Sequence, residues 1–263
     1  MQNQQPSTLK EIRVHGTQDF PCAFYQTGTR IRGNMVKHHW HEEVELLYFS
    51  GGEFCLEINM ERFEISEECF YFINPGELHS ISVEKNGGCV ENAVVFHMDM
   101  LSSAYALDQI QTNLIQPVQN GSIQFPRCLR KNEPAFEPVR KSYEEIRNVF
   151  GGDSFRENYY DGEAVTDDIT RQLFIKSALL RILAVLSANN LFEVTEKNHD
   201  RRIETIKTTL TYIQENYKEK IYIRDLADLI GMNEQYFCRF FKKVIGRSPM
   251  EYVNEYRRSE ERR

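Results

Sequence analysis

The sequence predicts an α+β multidomain protein with an N-terminal antiparallel β-barrel, a helical segment and a C-terminal all-α helix-turn-helix domain. Three observations predict this fold class. Short β-rich runs alternate with turn signals over residues 20–100, as in antiparallel barrels. From about Glu137 the apolar spacing changes to the helical period. Residues 223–242 then have the pattern of two short helices that cross at a tight turn.

The barrel is predicted from runs of β-branched and aromatic residues that end at Gly, Pro or Asn. Its predicted strands include Val44–Phe49, Phe54–Ile58, Cys69–Ile73 and Val90–Met98. We expect the barrel to occupy residues 1–135.

Two helices are predicted to follow the barrel, over Val139–Val149 and Asp167–Asn190. Apolar residues of the second helix cover more than one narrow stripe, so the extra face must bury against the barrel or a second subunit. We therefore expect residues 136–192 to form a helical dimerisation segment. Residues 193–202 are polar and predict a linker, and residues 203–263 predict the last domain, which begins with a helix over Arg202–Tyr217.

The helix-turn-helix is predicted from residue types at fixed positions. Gly231 lies at the turn, where a positive φ is often required, and Asn233 can cap the next helix. The apolar contacts between the two helices are assigned to Leu226, Ile230, Met232, Phe237 and Phe240.

Charge is distributed unevenly along the chain. The net charge of −7 divides into −11 for residues 1–200 and +4 for residues 201–263, which suits a protein whose C-terminal end alone meets phosphates. The longest apolar stretch, Leu173–Leu186, is interrupted by Lys176 and Arg181, so no membrane association is expected. The six cysteines form no CxxC pair and no signal peptide precedes them, which predicts reduced thiols in a cytoplasmic protein.

A group of histidines and one carboxylate marks the barrel. His39, His41 and Glu45 share odd numbering, so a straight strand would direct them to one face, and His79 follows a later strand. Such a set could hold a divalent metal ion, or it could form the polar lining of an effector pocket. Both interpretations remain open from the sequence.

The segments HHWHEEVELLYFSGGEFCLEI and FYFINPGELHSI resemble the sensor domains of AraC-type transcription regulators. The first segment is also similar to the first cupin motif, with His79 at the place of the second motif's histidine. That second motif is imperfect, because Gly76 directly follows Pro75 and Val83 stands where Asn is expected. The resemblance implies a cupin-like sensor joined to a helix-turn-helix domain. It implies a ligand-responsive, sequence-specific DNA-binding regulator that acts as a homodimer and takes a small polar effector.

The same resemblance assigns DNA contacts to the second helix of the motif. Gln235, Cys238 and Arg239 fall at base-facing positions, and Arg239 has the best physical support because Arg can bond guanine bidentately. The remaining predicted members of the double-stranded DNA interface are Asn233, Tyr236, Lys242 and Lys243.

Two alternative functions remain. One is a metal-dependent cupin enzyme, although the helix-turn-helix pattern has no role in an enzyme, so we expect no catalytic residues. The other follows from the end of the sequence at Arg263, where a second helix-turn-helix unit would be expected. A fragment or natural truncation of this kind could act through heterodimerisation without tight DNA binding.

Overall fold

A computed structural model describes residues 11, 14–29, 33–83, 89–105, 107–151, 168–195 and 201–261. Eight strands form most of the N-terminal part: β1 Cys22–Thr29, β2 Gly33–His39, β3 Val44–Phe49, β4 Phe54–Ile58, β5 Glu61–Ile65, β6 Cys69–Ile73, β7 His79–Val83 and β8 Cys89–Phe96. A 3-10 turn over Met98–Leu101 and a π turn over Gln111–Ile115 follow, then α1 Gln116–Gln119, β9 Ile123–Gln124 and β10 Cys128–Arg130. The later elements are α2 Phe136–Val149, α3 Ile169–Ala188, β11 Glu193–Val194, α4 Arg201–Asn216, α5 Ile223–Leu229, α6 Glu234–Ile245 and α7 Pro249–Glu261.

The barrel consists of two antiparallel sheets. One has the strand order β1-β8-β3-β6-β10 and the other β2-β7-β4-β5. Strand β3 is buried along its whole length because Leu47 and Phe49 face the barrel interior, while Leu46 and Tyr48 face α2 and α3. A sheet covered on both faces has continuous hydrophobic strands rather than alternating ones. The antiparallel barrel predicted from the sequence is therefore confirmed.

Most predicted elements are close to the observed ones. The strands predicted at Val44–Phe49, Phe54–Ile58 and Cys69–Ile73 have the observed bounds. The strand predicted to end at Met98 ends at Phe96, because the His97 side chain caps the 3-10 turn. Helix α2 begins three residues before the predicted Val139, at Phe136. Helix α3 begins after Asp168, whose carboxylate accepts the backbone N–H groups of Thr170 and Arg171; the predicted start, Asp167, lies outside the described residues.

Helices α4 to α7 have a hydrophobic core of their own. It contains Ile206, Leu210 and Ile213 of α4 together with residues of the later helices. The predicted Gly231 turn is confirmed by its φ of 66°, and the predicted Asn233 cap is confirmed by its side-chain bond from the Tyr236 N–H. The predicted contact residue Phe237 is fully buried and Phe240 is half-buried against the same core, to which the structure adds the fully buried Phe241.

The segment predicted as a linker is partly structured. Glu193 and Val194 pair with Gln124 and Ile123, and α4 already begins at Arg201. Residues 196–200 of the predicted linker lie outside the described part of the chain. Within the described residues, no helix is both long enough and apolar enough to cross a bilayer.

Candidate metal and DNA-binding sites

Four predicted site residues meet at one end of the barrel. His39 on β2 and His79 on β7 are paired across the two strands, and His41 follows β2. Glu45 lies near the start of β3, in the other sheet. The ligand atoms of these four side chains all lie within 4.8 Å of one another. His41, Glu45 and His79 are buried and His39 is partly exposed, so the cluster opens to solvent on the His39 side.

Backbone carbonyl groups orient each imidazole. The Nδ1 atoms of His39, His41 and His79 lie 2.9, 3.1 and 2.9 Å from the carbonyl oxygens of Lys37, Glu43 and Glu77. A carbonyl oxygen only accepts hydrogen bonds, so each Nδ1 carries a proton. In the neutral imidazole the Nε2 atom is then a lone-pair donor, which is the state in which histidine binds metals.

The Nε2 atoms of His41 and His79 both approach the same carboxylate oxygen of Glu45. Glu45 Oε2 lies 3.2 Å from His41 Nε2 and 3.0 Å from His79 Nε2. His79 Nε2 has no hydrogen-bond partner among the described residues, although it is buried. A lone pair facing a carboxylate oxygen at this distance is repelled unless a cation or a second proton lies between them.

The electrostatics of the cluster favour an ionised Glu45 and an uncharged His39. Burial opposes ionisation of Glu45, but the hydrogen bond with His41 and the closeness of His41 and His79 hold the pKa of its carboxyl well below the usual value. Burial, reinforced by the nearby His79, lowers the pKa of His39 to about 3. At neutral pH, His39 is therefore uncharged and Glu45 is an anion.

The structure adds two residues that the sequence did not indicate. Glu11 Oε2 lies 3.3 Å from His39 Nε2 and 3.6 Å from His15 Nε2. His15 is buried, its Nδ1 is 2.8 Å from the Tyr25 hydroxyl, and its Nε2 has no hydrogen-bond partner in the described part of the chain. The only sequence signal for this pair was its i,i+4 spacing, which does not identify the strands against which it packs.

The loop before β7 connects the cluster to the helical domain. The Glu77 carboxylate accepts a two-pronged bond from Arg127 and fixes the loop against the barrel. Leu78, next to the cluster residue His79, is 3% exposed and packs in the core of α4 to α7. The Lys207 ammonium of α4 donates to the Gly76 carbonyl oxygen and lies 4.6 Å from the Trp40 ring centroid.

Helix α6 presents most of the predicted DNA contacts to solvent. Gln235, Tyr236 and Arg239 are exposed, as are Lys242 and Lys243 of its last turn. Cys238 is half-buried against the helical core. Asn233 is exposed at the start of the helix, and its side-chain oxygen is occupied by the cap. The structure therefore groups these side chains on α6 and its N-cap, and their contacts with DNA stay a prediction.

A cupin-like barrel that carries a polar cluster and is joined to an exposed helix-turn-helix defines a ligand-binding regulator of transcription. The family model described as "AraC-like ligand binding domain" matches residues 24–147. The model described as "Bacterial regulatory helix-turn-helix proteins, AraC family" matches residues 213–254. The chain therefore belongs to the AraC family of transcription regulators, with a ligand-binding cupin-like domain and a helix-turn-helix DNA-binding domain.

Two proteins of Bacillus subtilis and one solved structure are similar to this chain. The chain is 26% identical over 257 residues to the uncharacterized HTH-type transcriptional regulator YdeC of Bacillus subtilis (strain 168), covering 95% of this chain and 80% of YdeC. It is 38% identical over 52 residues to a second uncharacterized regulator of that strain, YisR, covering 20% of this chain and 18% of YisR. The solved structure of the AraC-like transcriptional activator CuxR is 9% identical, with a TM-score of 0.37, covering 93% of this chain and 78% of that one.

Proposed function

We propose that this regulator senses a divalent transition-metal ion held by His39, His41, Glu45 and His79. The observation that supports the proposal is the shared hydrogen bonding of the three imidazoles, each of which binds a backbone carbonyl through Nδ1 and so keeps Nε2 as its ligand atom. Hydrogen bonds from Nδ1 to a carbonyl oxygen fix the tautomer in which Nε2 can bind a metal. A bound ion would supply a Lewis-acidic anchor for the oxygen atoms of a small polar effector.

The donor set fits a borderline transition metal. Imidazole suits Zn²⁺, Ni²⁺, Cu²⁺ or Fe²⁺, and one anionic carboxylate offsets part of the charge of a divalent ion. The unpartnered Nε2 of His79 and the close approach of two Nε2 atoms to Glu45 Oε2 are both relieved when a cation lies between them. Without an ion or a second proton between them, this buried nitrogen has no hydrogen bond, which costs free energy.

We propose that occupancy of the cluster changes how the helical domain is held. His79 and Leu78 are adjacent in the chain, yet one belongs to the cluster and the other to the core of α4 to α7. A ligand that binds one position of this loop more tightly therefore also favours one position of α4. The barrel binds a ligand in this account and does not turn over a substrate.

The DNA-binding state is proposed to be a cytoplasmic homodimer that meets double-stranded DNA through α6. One helix-turn-helix unit buries little DNA surface, so two units are needed for tight specific binding. Apolar side chains of α3 that are 43% to 72% exposed provide the proposed subunit contact: Ile169, Leu173, Phe174 and Leu180. Arg239 and Gln235 are proposed to read bases, while Lys242 and Lys243 meet phosphates.

A titration of metal-free protein with Zn²⁺ and Ni²⁺, followed by calorimetry, tests the metal proposal. We expect one ion per chain in the wild type. We expect a loss of affinity of at least about 100-fold in His41→Ala, because a ligand rather than a supporting residue is removed. His97→Ala is the matched control, since His97 lies outside the cluster and caps a 3-10 turn. Equal affinity of wild type and His41→Ala would exclude this site.

A further inference from the structure

A cavity lies between the barrel and α6, the helix that we propose reads DNA. Its volume is about 700 Å³, within the range of small-molecule sites. The turn between β4 and β5 contributes Met60 and Glu61, and α6 contributes Tyr236, Arg239 and Lys243. This cavity is separate from the histidine cluster, and none of the four proposed metal ligands lines it.

The lining combines positive charge with apolar surface. Arg202 at the start of α4, Arg239 and Lys243 line the cavity together with one carboxylate, that of Glu61. Met60, Phe240 and Val244 supply apolar surface between these charges. Guanidinium groups bind carboxylate, sulfonate and phosphate groups with two parallel hydrogen bonds, and the apolar wall favours a ligand with a hydrophobic body.

The backbone of the turn supports a binding role for Met60. Asn59 and Met60 have φ values of 48° and 73°, the conformation of a two-residue hairpin turn in which Gly is favoured at the second position. A methionine in this left-handed conformation is strained. Asn59 is fixed by its bonds to Glu77 and Leu78, so the turn holds the Met60 side chain at the cavity against its backbone preference.

We propose that this cavity binds an organic anion with an apolar body, and that the bound anion excludes DNA from α6. The exclusion rests on the proposed DNA contacts, because Tyr236, Arg239 and Lys243 would serve both ligands. The same cationic groups cannot pair with the anion and with DNA phosphates or bases at once. The anion also favours the arrangement in which the β4–β5 turn faces α6 and blocks the approach of a duplex.

Fluorescence titration with 8-anilinonaphthalene-1-sulfonate, an aromatic sulfonate, tests the ligand class in the full-length chain. We expect saturable binding by the wild type, at least about 5-fold weaker binding by Met60→Gly and tighter binding by Glu61→Gln, which removes the opposing charge. Met60→Gly relieves the strained turn, so its melting temperature should be equal or higher. Equal sulfonate affinity of the wild type and both variants would overturn the proposal. Equal affinity of the wild type and Met60→Gly, with an unchanged melting temperature, would also overturn it.

Competition with a short mixed-sequence DNA duplex at low salt tests the exclusion. At ten times its dissociation constant, the sulfonate should raise the apparent Kd for DNA about 11-fold in the wild type, with a smaller effect in Met60→Gly. Inorganic sulfate at equal ionic strength is the control for simple screening. An unchanged Kd for DNA with the sulfonate bound would overturn the exclusion. If neither the wild type nor any variant binds the duplex, but the expected order of sulfonate affinities is observed, the proposed DNA contacts are contradicted and the ligand class of the cavity is supported.

Discussion

Leu78→Ala is expected to uncouple the barrel from the helical domain. The Leu78 side chain leaves the barrel and is 3% exposed in the core of α4 to α7. Removal of its buried carbon atoms weakens the docking of the helical domain on the barrel by about 2–3 kcal/mol of free energy. That cost corresponds to an about 30- to 150-fold shift toward an undocked helical domain.

The sole tryptophan of the chain reports this contact directly. Trp40 packs against the helical core, with the Lys207 ammonium over its ring. We expect Leu78→Ala to shift the Trp40 emission to longer wavelength in native buffer and to reduce the effect of metal on DNA affinity. Leu186→Ala is the control, because it removes an equally buried leucine from the core between α3 and the barrel. Native-like Trp40 emission and a full metal response in Leu78→Ala would refute the coupling.

Three further predictions follow from the described contacts. Burial raises the pKa of the Glu91 carboxyl well above its usual value of 4.5. The folded chain therefore holds this proton more tightly than the unfolded chain, and the resulting stability is fully present below pH 4.5 and is lost as pH rises through the folded pKa. Glu91→Gln should remove this decline in denaturant unfolding, and a decline identical to wild type would contradict the assignment. Asn233→Ala should lower the stability of the helical domain by about 1 kcal/mol in thermal unfolding, whereas Asn233→Ser should retain most of it; equal losses would argue against the cap. Leu173→Glu should convert a dimer to a monomer in sedimentation with unchanged circular dichroism, because Leu173 is 61% exposed on α3. A Leu173→Glu protein that remains dimeric would place the interface elsewhere.

Local chemistry made much of the fold predictable. The strands β3, β4 and β6 were predicted with their observed bounds because they are short, mostly apolar runs that end at turn residues. Gly231 and Asn233 were predictable because a turn and a helix cap each require particular residue types at particular positions. The grouping of His39, His41, Glu45 and His79 followed from strand periodicity and the family resemblance, and the structure brings all four together.

Contacts between distant segments were not predictable from the sequence. Glu11 reaches the cluster through a backbone hydrogen bond to the Trp40 carbonyl just after β2, and this contact has no local sequence signature. The burial of Phe241 was not predicted because helical phase is fixed by the neighbours of α6, which bury Phe237 and Phe241 four residues apart. The same limitation hid the role of Leu78, which resembles an ordinary barrel residue in the sequence.

The central claim is that metal in the barrel controls the hold of α6 on DNA. It is tested most directly by the Kd of the wild-type chain for DNA, measured with Zn²⁺ and with a chelator at one fixed salt concentration. The account predicts a change of at least about 5-fold in the wild type and none in His79→Ala. Equal wild-type Kd values with metal and with chelator would contradict it.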